Sequence, residues 1–272
     1  METISEIQKT AAPVAKKVLT VLITGSTSGI GLGIAKAFAK EGHNIIFNGL
    51  EKEGPDIAAQ VAKDFKVGTL YSPANMLKAD EINAMVKEAE DKFGCVDVLI
   101  NDAGIQFVAP IEEFPAAKWD AIIGINLSAS FHTSKAVWKG MKDQKFGRII
   151  NIASAHGLVA SEFKSAYVAA KHGLVGLTKV LALEGAAFGI TANSICPGYV
   201  KTPLVDKQIE DQAKAHGISK EKVVSDVMLA PQAIKEFVDI EAVAALAIYL
   251  SSSNAKMITG AALSIDGGWT AQ

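Results

Sequence analysis

The sequence predicts an α/β protein built on one doubly wound parallel sheet. Seven short apolar runs alternate with segments of helical length: KVLTVLIT, NIIFNG, KVGTLY, VDVLIN, GRIINIAS, ITANSIC and AALSID. Strands that alternate with helices form parallel sheets, and such strands are almost continuously apolar because helices cover both sheet faces. We therefore expect a single domain with a seven-stranded parallel sheet over residues 18–272, preceded by a flexible extension at residues 1–17.

Length, charge and cysteine content exclude several classes of protein. The chain has 272 residues, 49% of them hydrophobic, which suffices for one sizeable core. A net charge of -2 argues against a nucleic-acid partner, and no apolar run reaches the roughly 18 residues that a membrane span needs. Cys95 and Cys196 form no metal-binding or redox motif. We expect a cytoplasmic protein without a structural metal and without a membrane partner.

The first strand leads into a glycine-rich turn at which a helix begins. Residues 18–33 read VLTVLITGSTSGIGLG. Glycines permit the tight turn and allow backbone N–H groups to approach a pyrophosphate, which lies on the positive end of the following helix. This context predicts a Rossmann-type dinucleotide site. The expected cofactor contacts from this turn are Gly25, Thr27, Ser28, Gly29, Ile30 and Gly31.

The end of the second strand bears on the choice of nicotinamide cofactor. A Rossmann protein usually has an acid there for the adenosine ribose, but this chain has Asn48, which we expect to contact the cofactor instead. An NADP site needs cations for the 2′-phosphate, and the glycine turn offers only Ser28. Lys52 is flanked by Glu51 and Glu53, which would repel that phosphate. These residues favour NAD.

The fifth strand and the helix after it supply candidate catalytic groups. Tyr167 and Lys171 are four residues apart in the helical stretch SAYVAAKHGLVGLTKVLALE, so they share one helix face. A lysine charge about 4 Å from a phenol is worth roughly 4 kcal/mol, which would lower the tyrosine pKa from about 10 toward 7. Ser154, at the end of the strand, is placed to hydrogen-bond a substrate oxygen while Tyr167 exchanges its proton.

This set of motifs resembles the short-chain dehydrogenase/reductase family over essentially all of residues 18–272. The resemblance rests on TGSTSGIG, NDAG at 101–104, INLSAS, SAYVAAK and CPG at 196–198. It implies a homotetramer and a catalytic tetrad of Asn126, Ser154, Tyr167 and Lys171, in which the asparagine holds a proton-relaying water. The further cofactor contacts that it implies are Asn75, Asn101, Ala103, Gly104, Tyr167, Lys171, Pro197, Gly198, Val200 and Thr202.

Two positions depart from the family pattern. The usual Asn-Asn-Ala-Gly has Asp102 at its second position, and aspartate lacks the amide donor of asparagine. We expect lower stability or a perturbed cofactor site there. The acid that the family commonly has beside the adenine is replaced by Asn75, so adenine binding is expected to be weaker or differently made.

A carboxylate on the substrate would need cationic or donor groups near the tetrad. The only arginine, Arg148, begins the strand that ends at Ser154, which puts it about 20 Å away at the wrong sheet edge. Each remaining candidate, taken alone, is also explained as an ordinary loop or surface residue, but the segments that carry them should converge on the nicotinamide pocket. The candidates are Gln106, His156, Lys164 and Gln208.

Within the family, AGIQ, GRIINIASAHGLVAS, KSAYVAAKHG, CPGYVKTPLVDKQI and DGGWTAQ resemble the branch that oxidises (R)-3-hydroxybutyrate with NAD. There, the positions matching the four candidates bind the substrate carboxylate, and Tyr199 stands where tryptophan is common. The resemblance implies a 3-hydroxy acid substrate, a 3-oxo acid product and Tyr167 as general base. Two alternatives stay open: a 3-oxoacyl thioester reductase, or a non-catalytic dinucleotide-binding protein in which Asp102 marks decay.

One long charged insertion, at about residues 202–239, separates the sixth and seventh strands. Its stretch KTPLVDKQIEDQAKAHG and the segment from Lys220 to Met228 are helical in pattern but too polar for a core. The insertion is either a solvated helical pair or a lid over the carboxyl edge of the sheet, where doubly wound folds bind ligands. We favour the lid.

Overall fold

A parallel sheet of seven strands organises the chain. The computed structural model describes residues 17–271, except the side chains at 204, 215 and 216. The expectation of a flexible extension therefore falls outside the described residues, apart from residue 17. The strands are β1 (Thr20–Ile23), β2 (Asn44–Asn48), β3 (Thr69–Ser72), β4 (Val98–Asn101), β5 (Gly147–Ile152), β6 (Ile190–Pro197) and β7 (Ala262–Ile265).

The strand order is β3-β2-β1-β4-β5-β6-β7, and every neighbouring pair is parallel. The longer helices between strands are α1 (Gly29–Lys40), α2 (Gly54–Phe65), α3 (Ala79–Phe93), α4 (Ala116–Ile123), α5 (Ala129–Asp143), α6 (Ser165–Gly185), α7 (Pro203–His216) and α9 (Ile240–Ser251), while α8 (Lys220–Lys222) is a single turn. The predicted α/β fold class and the predicted parallel sheet are confirmed.

Successive residues of each strand enter two different cores. In β1, Val21 and Ile23 pack with Phe38 of α1 and Val243 of α9, on one face of the sheet. Leu22 between them packs on the other face, with residues of α3, α5 and α6. Side chains alternate across a strand, so burial on both faces requires apolar residues at consecutive positions. This explains the uninterrupted apolar runs of the sequence.

The strand order reverses direction between β1 and β4. From β1 the chain first builds outward to β2 and β3, and then crosses back to β4 on the other side of β1. Helices that leave adjacent strands in opposite directions open a crevice at the carboxyl edge of the sheet. The glycine turn after β1 and the NDAG segment after β4 both lie at this crevice.

The charged insertion is helical, as predicted. It forms α7, α8 and a π-helical turn at Val223–Met228, which packs with α7 into a small core of its own beside Tyr199 and Trp269. Closing motion of this segment stays a prediction. Within residues 17–271, no helix has the length and apolar character to cross a membrane, and no group of three or more His, Cys, Asp or Glu residues could hold a metal ion.

Candidate active site

A cavity of about 350 Å³ opens at the carboxyl edge of the sheet, at the switch in strand order. Segments from β1, β2, β3, β4, β5, α6, β6 and α7 line it. The predicted site residues that line it are Gly25, Ser28, Gly29, Ile30, Asn48, Asn75, Ala103, Gly104, Gln106, Ser154, His156, Lys164, Tyr167, Lys171, Pro197, Gly198, Val200, Thr202 and Gln208. Four predicted residues lie behind this wall: Thr27, Gly31, Asn101 and Asn126.

The glycine turn has a shape that only glycine permits. Gly25 and Gly29 have φ values of 65° and 55°, in the left-handed region that side chains rarely adopt. A Cβ on Gly31 would lie 2.5 Å from the carbonyl oxygen of Gly25 and 2.7 Å from a carboxylate oxygen of Asp102. The turn therefore brings bare backbone to the cavity at the start of α1, which fits the pyrophosphate of a dinucleotide.

Asn48 braces this turn with its side chain. Its amide nitrogen donates to the carbonyl oxygens of Ser72 and Ala74, at 3.2 and 2.9 Å, and its amide oxygen accepts from the Gly25 N–H at 3.3 Å. A carboxylate at position 48 could not donate these two bonds. The absence of the usual acid is thus compensated structurally, and Asn48 holds the loops after β1, β2 and β3 together.

Glu51 brings an acid to the same end of the cavity, which the sequence reasoning missed as a ligand group. Its carboxylate accepts a hydrogen bond from the Thr27 hydroxyl, and Glu51 lines the cavity with Gly49 and Leu50. The Tyr71 hydroxyl donates to the backbone carbonyls of Gly49 and Glu51, at 2.9 and 3.2 Å, and so shapes the loop. An acid three residues after the strand end was the available signal.

Ser154, Tyr167 and Lys171 come together at the opposite end of the cavity. Lys171 donates to the carbonyl oxygen of Ile152 at 2.7 Å, and its ammonium nitrogen lies 5.6 Å from the centre of the Tyr167 ring. Ser154 is hydrogen-bonded to the Tyr167 phenol, and its hydroxyl oxygen also accepts the His156 N–H at 3.1 Å. As the i, i+4 spacing on α6 predicts, the side chains of Tyr167 and Lys171 lie close together.

The expected fall of the Tyr167 pKa toward 7 is wrong for this arrangement. Desolvation raises the pKa of Tyr167 to about 12, although the hydrogen bond with Ser154 opposes that rise. The Lys171 ammonium is directed at the Ile152 carbonyl, and burial lowers its own pKa to about 8. Removal of water around the phenol therefore determines the direction of the shift, and the nearby charge of Asp102 adds to it.

The side chains of Asn126 and Asn101 form hydrogen bonds with other protein groups and do not line the cavity. Asn126 lies in a π-helical turn, Gly124–Ser128, where its amide accepts from the Ile105 N–H at 2.9 Å and donates to the Ile105 carbonyl at 3.0 Å. Asn101 donates to Asn151 at 2.8 Å and accepts from Thr133 at 2.7 Å. Both anchor the NDAG segment, and the predicted water relay through Asn126 stays a prediction.

Asp102 points at the first turn of α1. Its carboxylate accepts the Gly31 N–H, and its own N–H donates to the Thr24 hydroxyl at 3.0 Å, so the fold tolerates aspartate here. Burial raises the pKa of Asp102 to about 7, while the Lys171 ammonium and the Gly31 N–H oppose that rise. The carboxylate thus lies beside the first turn of α1 and within reach of the Lys171 charge, and the expected lower stability or perturbed cofactor site stays a prediction.

The four predicted carboxylate-binding residues converge around one end of the cavity. His156 and Lys164 are both only 3% exposed, and Gln208 of α7 is also buried. Burial lowers the pKa of Lys164 to about 7 and lowers the pKa of His156 well below its usual value, so His156 is a neutral imidazole. Both amide atoms of Gln106 are buried without a hydrogen-bond partner in the described part of the chain, which suits a ligand.

An aromatic wall closes this end of the cavity. The Tyr199 and Trp269 rings are stacked, with centroids 5.5 Å apart and planes 14° apart. The His156 ring meets Trp269 edge-on at 4.9 Å. Arg148 lies elsewhere, as predicted: it begins β5 and donates to backbone carbonyls of Gly147 and Gly189. This part of the cavity therefore offers the buried amine of Lys164 and neutral donors, beside the stacked aromatic rings.

Comparisons with known proteins agree with this geometry. The family model described as short chain dehydrogenase matches residues 19–213. A D-beta-hydroxybutyrate dehydrogenase of Rhizobium meliloti is 56% identical over 257 residues, covering 93% of this chain and 99% of the relative. One of Cupriavidus necator is 54% identical over 255 residues, covering 93% and 98%. A crystal structure of a single-residue variant of actinorhodin polyketide ketoreductase with NADPH superposes with a TM-score of 0.89, at 33% identity, covering 94% of this chain and 98% of that one. The chain belongs to the short-chain dehydrogenase family, whose members bind a dinucleotide.

Proposed function

We propose that this protein oxidises (R)-3-hydroxybutyrate to acetoacetate, reversibly, with NAD as the hydride acceptor. The observation that carries the proposal is the buried Lys164 ammonium, which lines the same cavity as Tyr167 and Lys171. A buried cation without a carboxylate partner among the described residues is costly unless a ligand supplies the negative charge. The two D-beta-hydroxybutyrate dehydrogenases, each more than half identical to this chain, support this substrate.

The hydroxyl carbon reacts at the Tyr167 end of the cavity. Ser154 holds the substrate oxygen, and Tyr167 takes its proton as the carbon becomes a ketone. When bound, an oxidised nicotinamide would supply the hydride acceptor and a positive charge that favours the ionised phenol. Lys171 adds a second positive charge beside Tyr167, with its ammonium nitrogen 5.6 Å from the centre of the ring. In the reverse direction Tyr167 donates that proton back to the ketone oxygen.

The acid group of the substrate, two carbons from the reacting hydroxyl carbon, binds beside Lys164 and His156 at this same end of the cavity. Lys164 supplies the charge, while His156, Gln106 and Gln208 supply neutral hydrogen-bond donors around it. The neutral imidazole leaves Lys164 as the main cation for the ligand. Holding both ends of so small a substrate fixes the hydroxyl carbon relative to the nicotinamide, which is what hydride transfer requires.

NAD is proposed because the acid of the adenosine end is Glu51. Its carboxylate lines the cavity, where it can accept hydrogen bonds from the ribose hydroxyls of NAD and would repel the 2′-phosphate of NADP. Ser28 offers that phosphate no cation. We also propose a cytoplasmic homotetramer, as the family resemblance implies. Exposed apolar side chains on α5 and α6, among them Phe131, Val180 and Leu183, suit burial between subunits.

Substitution of Lys164 by alanine tests the proposal. Loss of a charge-assisted contact worth about 1.5–3 kcal/mol should raise the KM for (R)-3-hydroxybutyrate roughly 10- to 150-fold. The KM for NAD should stay within about twofold. Lys179→Ala, which removes an exposed lysine of helix α6, is the matched control and should leave both constants unchanged. An unchanged KM for the acid in Lys164→Ala would refute the carboxylate-binding role.

A further inference from the structure

The hydrogen-bond partner of Lys164 is a tyrosine that the catalytic scheme does not use. The Lys164 ammonium donates to the Tyr199 hydroxyl oxygen at 2.7 Å, and it lies 5.0 Å from the centre of the same ring. Both side chains are buried. A tryptophan or a phenylalanine at this position offers no acceptor oxygen, so neither could accept this bond.

The surrounding rings fix the Tyr199 hydroxyl in place. Tyr199 stacks on Trp269, and the His156 ring meets it edge-on at 6.2 Å. Lysine has four rotatable bonds and loses much side-chain entropy when it is fixed. A rigid acceptor that fixes the ammonium beforehand removes part of this cost from substrate binding.

Lys164 and Tyr199 also stand between two cavities. Both line the main cavity, and both line a second one of about 180 Å³, together with Ser161, Glu162 and Gln212. Without the hydroxyl acceptor, the flexible ammonium has space to turn into the second cavity. Glu162, an exposed acidic residue, is among the residues that line the second cavity, so an ammonium turned that way would approach a negative charge.

The chemistry of the acceptor matters as much as its place. Desolvation raises the pKa of Tyr199, so it stays a neutral phenol. A neutral acceptor orients the ammonium without cancelling its charge, whereas a carboxylate in the same place would form an ion pair and compete with the substrate.

We propose that Tyr199 is a positioning residue, whose hydroxyl holds the Lys164 ammonium in the main cavity and out of the second one, ready for a substrate carboxylate. This inference rests on the proposed function, because it assigns Tyr199 a role only through Lys164. It adds a determinant of preference for acids over neutral alcohols and thioesters, since only an acid gains from an oriented ammonium.

The Tyr199→Phe variant tests the inference, because phenylalanine keeps the ring and its stack on Trp269. We expect the KM for (R)-3-hydroxybutyrate to rise about tenfold, as for loss of a hydrogen bond to a charged group. The kcat and the dissociation constant for NADH should change less than about twofold, and the latter also checks that the variant is folded. In a Lys164→Ala background, the same Tyr199 change should alter the KM by less than about twofold.

A rescue variant separates positioning from simple packing. If the freed ammonium turns to Glu162, then Glu162→Gln added to Tyr199→Phe should recover several-fold of the lost KM, while Glu162→Gln alone changes nothing. The inference is overturned if Tyr199→Phe leaves the KM unchanged while Lys164→Ala raises it, if the two changes are additive, or if the Glu162 change gives no rescue. If instead Lys164→Ala itself has no effect on the KM, the proposed function fails, and the two failures are distinguishable.

Discussion

Replacing Asp102 by asparagine should increase the free energy of unfolding, and this gain should grow with pH. Burial raises the pKa of Asp102 from 3.8 to about 7, so the folded protein holds a proton that the unfolded chain releases. A carboxyl whose pKa is raised by folding destabilises the fold as the pH rises from about 4 to about 7, and the full cost is present above about 7. Asparagine has nearly the same shape and carries no charge at any pH.

The magnitude follows from the difference between the two pKa values. Each pKa unit corresponds to about 1.4 kcal/mol, so a rise from 3.8 to about 7 sets an upper bound of roughly 4 kcal/mol. Asp102 is partly exposed at the cavity and lies near the Lys171 ammonium, and both reduce the cost. We therefore expect Asp102→Asn to gain about 2 kcal/mol at about pH 8 and about 1.4 kcal/mol at about pH 5.

Denaturant and thermal unfolding at several pH values between about 5 and 8 measure this gain. Glu88→Gln is the matched control, because it removes one exposed carboxylate from α3, remote from the cavity. The control should shift the unfolding midpoint equally at every pH. The affinity for NADH should also rise in Asp102→Asn, because one negative charge leaves the turn that receives the pyrophosphate. A stability gain in Asp102→Asn that does not grow with pH would refute the reasoning.

Two further substitutions test the adenosine and pyrophosphate ends of the site. Glu51→Gln should raise the ratio of kcat/KM for NADP to kcat/KM for NAD about tenfold, because a charge that repels the 2′-phosphate is lost. Glu53→Gln, which lies outside the cavity wall, should leave this ratio unchanged. If the ratio is unchanged in both variants, Glu51 has no role in cofactor selection. Gly31→Ala would place a Cβ 2.5 Å from a backbone oxygen of the turn, so NADH fluorescence titration should detect no binding. Gly176→Ala, which meets no atom within 4 Å, should bind NADH normally; normal binding by Gly31→Ala would contradict the packing argument.

The sheet could be predicted from the sequence because two patterns indicate its strands: short apolar runs, and the alternation of these runs with segments of helical length. Each of the seven predicted runs overlaps an observed strand, and the alternation with helices implied the parallel direction. The exact ends differ: β1 begins at Thr20, three residues after the predicted run starts, because ladder pairing with β2 begins only there. Such ends depend on the neighbouring strands, which a single run of residues does not specify.

The site was predictable where its residues follow motifs with a fixed backbone. The glycine turn, the strand-end serine and the i, i+4 pair on α6 are of this kind. Glu51 and Tyr199 were harder, because their importance comes from contacts across 24 and 35 residues of chain, with Thr27 and Lys164. The rise in the Tyr167 pKa could not be predicted from the sequence, because desolvation depends on every segment that packs around the phenol.

The central claim is that Tyr167 takes part in oxidising the substrate hydroxyl while Lys164, in the same cavity, binds the acid group of the same substrate. Initial rates with NAD and NADP, for (R)-3-hydroxybutyrate, its CoA thioester and a neutral secondary alcohol, test it most directly. We predict the highest kcat/KM for the free acid with NAD, and a rate for the neutral alcohol that does not respond to Lys164→Ala. A preference for the thioester with NADP, or no turnover of the acid at all, would contradict this account.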